Sequence, residues 1–182
     1  NAIAIGTGSI ANVTNGIAFG PGTSALNNDA IVIGSGAIGR IVGSMAIGVG
    51  SAANNLTDTQ AGTAVGYGAD ALADFATALG NGATADASAQ TSLGANAGTT
   101  NTQWSSSISL GYGAFPTDKR QFVIGTTGDS YGGDITHLFL GQGVNSSAPL
   151  GITIEGSRVS GANQNGGNMA FVPGRSTGSG IG

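Results

Sequence analysis

Acid–base chemistry in this chain would have to come from very few residues, because its 182 positions include one histidine, His137, and one glutamate, Glu155. Glycoside hydrolysis needs two carboxylates facing each other across a groove, and only Asp129 and Asp134 lie near Glu155 in sequence. A single histidine leaves no triad and no His-rich metal site. The oxygen-rich stretch 126–134 has ligand types suited to calcium. It lacks EF-hand spacing and the repeated Gly-Gly-x-Gly-x-Asp pattern of calcium-binding rolls. The closing glycines Gly174, Gly178 and Gly180 are followed by no Gly-Lys-Ser/Thr and cradle no phosphate. These acids read as solvated loop residues. No catalytic group, metal site or cofactor is expected.

Composition narrows the function further. Charged residues make up 8% of the chain and glycine accounts for 35 residues, whereas about a quarter of a soluble globular domain is charged. The net charge is −4 and the five basic residues are scattered, which argues against nucleic-acid binding. No cysteine is present, so neither disulfides nor thiolate metal sites contribute. No apolar run reaches the roughly 18 residues of a membrane-spanning helix, so no direct membrane insertion is expected of this segment. The chain starts within its first repeat, and we read it as part of a longer fibre.

That repeat must position everything else. An apolar phrase closed by glycine recurs ten times, ending at Gly6, Gly20, Gly34, Gly48, Gly66, Gly80, Gly94, Gly111, Gly125 and Gly141. The steps between these glycines are 14, 14, 14, 18, 14, 14, 17, 14 and 16 residues. Constant self-similarity of this kind marks stacked identical units. Fourteen residues hold two short strands and two tight bends, with glycine and Asn at the bends. The expected fold is all-β: a parallel β-solenoid of about 14-residue turns, stacked about 4.8 Å apart into a rod roughly 45–50 Å long. We expect it to span residues 1–141, with 142–182 as an irregular glycine-rich β segment that caps or continues the fibre.

Alternate residues of a strand face opposite sides. Hydrophobic size assigns one row to the interior: Ile3, Ile5, Ile17, Phe19, Ile31, Ile33, Met45, Ile47, Val65, Leu79, Leu93, Ile108, Leu110, Ile124, Leu138 and Leu140. The middle positions Ala4, Ala18, Val32, Ala46, Ala64 and Ala78 would then face outward. A strand apolar on both faces is normally covered on both, and one thin roll covers only one. Association through the alanine row is therefore expected. Thr63, Thr77 and Thr91 form a short ladder of the kind found on ice-binding surfaces, but this assignment places them in the interior row.

The phrase Ser44-Met45-Ala46-Ile47-Gly48 and its relatives Asn1–Gly6 and Asp29–Gly34 resemble the head repeat of trimeric autotransporter adhesins such as Yersinia adhesin A. The resemblance covers about residues 1–141. It implies a left-handed parallel β-roll, homotrimeric about a threefold axis, displayed outside the cell at a bacterial surface, with a host surface protein or glycan as partner. The glycine-rich end is similar to segments of bacteriophage tail fibres, which leaves a structural or receptor-binding fibre segment on a virion as the alternative. A polysaccharide-degrading tail spike is the remote third.

Insertions in a solenoid loop out on one face and often carry recognition. The longer steps place extra residues at 54–62, 98–107 and 126–136. Trp104, the sole tryptophan, falls in the second of these, as a ligand-contact candidate or a plug over the roll. Arg40, Lys119 and Arg120 complete the contact candidates, either bridging subunits or solubilising the rod.

Overall fold

In a computed structural model of the chain, the structure describes residues 1–53, 61–99 and 101–125. The chain divides into two compact units, Asn1–Thr136 and His137–Gly182, and all described residues lie in the first. His137, Leu138, Leu140, Glu155 and the stretch 126–134 fall outside them.

The described part is a parallel β-solenoid with no helix. Each apolar phrase forms one three-residue strand, and nine of these make the first sheet: Ile3–Ile5, Ile17–Phe19, Ile31–Ile33, Met45–Ile47, Thr63–Val65, Thr77–Leu79, Thr91–Leu93, Ile108–Leu110 and Phe122–Ile124. The second sheet has six two-residue strands, from Ser24–Ala25 through Gly98–Thr99. Equivalent residues pair directly, as Ile17 with Ile31 and Ala18 with Val32. Both longer steps leave the register intact, since Met45 pairs with Thr63 and Thr91 with Ile108.

Glycine closes the phrase for a backbone reason. Gly34 has φ 127°, a region closed to L side chains. A Cβ there would run into the carbonyl of Gly48 in the next turn. The same geometry recurs at each phrase-ending glycine from Gly6 to Gly94, which is why this position does not vary.

The interior reverses the expected phase of the first sheet. Ala18, Val32, Ala46, Ala64 and Ala78 are completely buried inside the roll. Ala4 pairs with Ala18 and shares its phase, but is exposed in the terminal strand of the sheet. None of this row can face a neighbouring subunit. The proposed core residues point outward instead: Ile3, Ile5, Phe19, Ile33, Leu79, Leu93, Ile108, Leu110 and Ile124 are exposed, and Ile17, Ile31, Met45, Ile47 and Val65 are half-buried. Thr63, Thr77 and Thr91 follow them outward, each half-buried.

The reason is the small gap between the two sheets. The Ser92 hydroxyl, on a one-carbon side chain of the first sheet, donates to the Thr84 carbonyl of the second at 2.8 Å. Such a gap admits alanine and serine and excludes isoleucine. From the second sheet, Ala25, Gly39, Ala53, Ala71 and Ala85 meet the alanine row, beside Thr23, Ala37, Ser51, Ala69 and Ala83. Some interior hydroxyls find backbone partners, Thr23 donating to the Gly20 carbonyl at 2.8 Å and Ser51 to that of Gly48 at 3.0 Å, which offsets the cost of burying them, whereas Ser44 Oγ and Ser109 Oγ are buried without one.

Volume is balanced turn by turn. Where the first sheet carries Val32 instead of alanine, the second carries Gly39, and a Cβ there would stand 2.7 Å from Val32 Cγ2. Gly39→Ala should therefore destabilise the roll by about 1–3 kcal/mol through overpacking. Combining it with Val32→Ala should recover most of that loss. Urea denaturation of the two single variants and the double variant measures the coupling.

Candidate interaction surface

Outward phase turns the first sheet into an apolar wall. Two side-chain rows run along it: Ile3 to Phe122 through the first position of each phrase, and Ile5 to Ile124 through the third. Fifteen of the eighteen positions are Ile, Leu, Val, Met or Phe, and the other three are threonine. No charge interrupts either row. The ten exposed members range from 37% at Ile33 to 61% at Phe122, and the other eight are half-buried. A continuous uncharged apolar face of this kind marks an interaction surface.

At the edge of this wall each turn has a left-handed corner. Asn15, Asp29, Phe75, Ala89, Ser106 and Arg120 all take φ between 56° and 60°. Asn and Asp tolerate that geometry, whereas for a bulky residue such as phenylalanine it is an outlier. Phe75 is also 63% exposed, so a strained corner presents a bare ring beside the apolar wall.

Three of the four ligand-contact candidates come together, and one does not. Trp104 is half-buried and packs edge-on against Phe115, with centroids 5.6 Å apart and planes at 90°. The Arg120 amide donates to the Ser105 carbonyl at 3.0 Å, which places Lys119 and Arg120 one turn beyond the Trp104 loop. The inserted Trp104 segment and the bend of the following regular turn thus lie together, with two aromatic rings in contact and two cations nearby. Phe115 was not singled out by sequence, and no motif marks it. Gln121 organises that bend, its Oε1 accepting from the Thr117 and Asp118 amides at 2.7 and 3.1 Å. Arg40 lies apart, exposed at the end of the Ile38–Gly39 strand of the second sheet.

The outer face of the second sheet is mixed, with Ile10, Ser24, Ile38, Ala52, Asp70 and Thr84 partly or largely exposed. Burial, and then the charge of nearby Asp70, push the Asp86 carboxyl up to about 6, and burial also raises Asp70. Asp86 Oδ1 is buried and has no hydrogen-bond partner. Among the described residues no cluster of three or more metal-ligating side chains occurs.

Sequence comparison fits this geometry. Residues 1–23, 14–37 and 60–83 match the YadA head domain repeat. These segments are similar to YadA-type head repeats. No curated protein matches the chain. Among solved structures, the collagen-binding domain of Yersinia adhesin YadA is similar to it at 24% identity, over 74% of this chain and 76% of that one, with a TM-score of 0.49. In the matched turns of this chain, the alanine of the phrase packs the roll and its flanking residues build the outer wall.

The Asp86 carboxyl gives these repeats a pH dependence. Its folded pKa lies above the unfolded value of 3.8, so the folded state holds the proton more tightly. The stability this confers is complete below about pH 3.8 and is lost as pH rises through about 6. Partial exposure keeps the change on the order of 1 kcal/mol. Urea midpoints should fall from pH 4 to pH 6.5, and Asp86→Asn should flatten that slope.

Proposed function

We propose that this chain is the head of an extracellular adhesive fibre: a left-handed β-roll that assembles as a homotrimer at a bacterial surface and attaches to a host surface protein or glycan. The reading is non-enzymatic. The observation that carries it is the match of three segments to the YadA head domain repeat. The uncovered apolar wall supports association, because a single roll leaves that wall in water. The roll is proposed to extend through residue 141, with 142–182 capping or continuing the fibre.

Within this reading the two outward rows of the first sheet are the subunit contact, in place of the alanine row. The corner formed by Trp104, Phe115, Lys119 and Arg120 is the proposed ligand contact. An aromatic pair beside two cations suits a polar protein or sugar surface. Arg40, on the other wall, bridges subunits or keeps the rod soluble.

Sedimentation equilibrium of the purified chain should give three times the monomer mass of 17.4 kDa. Cells displaying the head should adhere to one member of a panel of immobilised host matrix proteins and glycans that includes collagen. Trp104→Ala should reduce adhesion at least tenfold while leaving the mass unchanged. A monomer in solution, or full adhesion by the Trp104 variant, would remove the corresponding part of the proposal.

A further inference from the structure

A wall built from repeats has a registration problem. Its rows recur at each turn, about every 4.8 Å, so two copies could slide by one turn and still bring isoleucine onto isoleucine. Uniform apolar packing would then tolerate several offsets of nearly equal energy, as it does in weakly specified strands. Specifying one offset takes a feature that does not repeat.

The outer row of the first sheet contains such a feature. Its first position is apolar in the first four turns, Ile3, Ile17, Ile31 and Met45, and apolar again at Ile108 and Phe122. In between stand Thr63, Thr77 and Thr91, paired rung to rung in the parallel ladder. The row beside them remains Val65, Leu79 and Leu93, so only one row turns polar, and only over three consecutive turns. Phe75 marks the middle of this block. It precedes Thr77 by two residues, and the equivalent corner positions Asn15, Asp29, Gly43, Ala61, Ala89 and Ser106 carry no large apolar side chain.

We propose that the threonine block Thr63–Thr77–Thr91, with Phe75 at its centre, fixes the axial register in which copies of this chain pack against each other. The partner is a second copy because only a surface with the same turn spacing meets these rows along their whole length. In register, threonine faces threonine and the hydroxyls bond each other or shared water. One turn out of step, a threonine is pressed against isoleucine and its hydroxyl loses its partners. Phe75 meets the wrong corner at the same time. Single buried polar positions fix register in coiled coils by this logic, at some cost in stability.

The inference rests on the oligomer reading above and is tested separately from it. The chain has no cysteine, so Asn12→Cys, at an exposed position outside the strands and off the apolar wall, gives one spin-label site per subunit. Double electron–electron resonance on the native-sequence oligomer should show one narrow distance distribution. Making the wall uniform, with Thr63→Ile, Thr77→Ile, Thr91→Ile and Phe75→Ala, should retain the oligomeric mass and broaden the distribution with populations displaced by whole turns. A second variant, Met45→Thr with Thr91→Ile, keeps three threonines and moves the block by one turn. Mixed with unaltered chains, it should form hetero-oligomers whose labels are offset by one turn. A narrow, unshifted distribution in both variants would overturn the register proposal while leaving association standing. A monomeric mass for the unaltered chain would overturn the association itself.

Discussion

Everything in this molecule follows from how little room lies between its two sheets. A serine hydroxyl of one sheet reaches a backbone carbonyl of the other, so the space between the strands is filled mainly by alanine, serine, threonine and glycine, while the larger buried Ile41 and Gln90 lie outside the strands. Close packing at native density then has to be met with very small pieces. Val32 opposite Gly39 shows how tight the fit is, because the two extra methyl groups of valine on one wall stand where the other wall lacks a Cβ. Fourteen residues per turn, two short strands and a glycine at the end of the phrase are the covalent expression of the same limit.

A thin roll has a consequence for its outside. Large apolar residues cannot enter, yet they occupy fifteen of eighteen positions in two rows of the first sheet. They therefore stand on the surface, where their burial awaits another surface. The packing of the roll and its apolar outer wall come from different residues of one three-residue strand. The central alanine packs the roll, while the residues beside it make the wall. The longer steps of 18 and 17 residues disturb neither, since the register passes unchanged across them.

The repeat, the parallel stacking and the positions of the insertions were legible in the sequence because periodicity is a direct record of stacking. The phase of the first sheet was not. Ranking by hydrophobicity sends isoleucine inward and leaves alanine outside, and that ranking fails when the limiting quantity is volume. The signal was nonetheless present in a single turn, where Val32 occurs together with Gly39. The aromatic corner was half legible: Trp104 stood out by composition, whereas Phe115 joins it only because the inserted segment folds back onto the bend of the next turn. The strained corner at Phe75 left no sequence mark, since nothing but the equivalent Asn15, Asp29 and Gly43 identifies that position as left-handed.

The central claim is the alternation itself, alanine row inside and large apolar rows outside against another copy. In a chain without cysteine, it can be read from two neighbouring residues. Val32→Cys and Ile33→Cys are each treated, in the folded state, with a short bifunctional maleimide and resolved on a denaturing gel. Ile33→Cys should be linked between chains and Val32→Cys should remain unlinked and unreactive until the chain is unfolded. Linking through position 32 with position 33 protected would contradict the account.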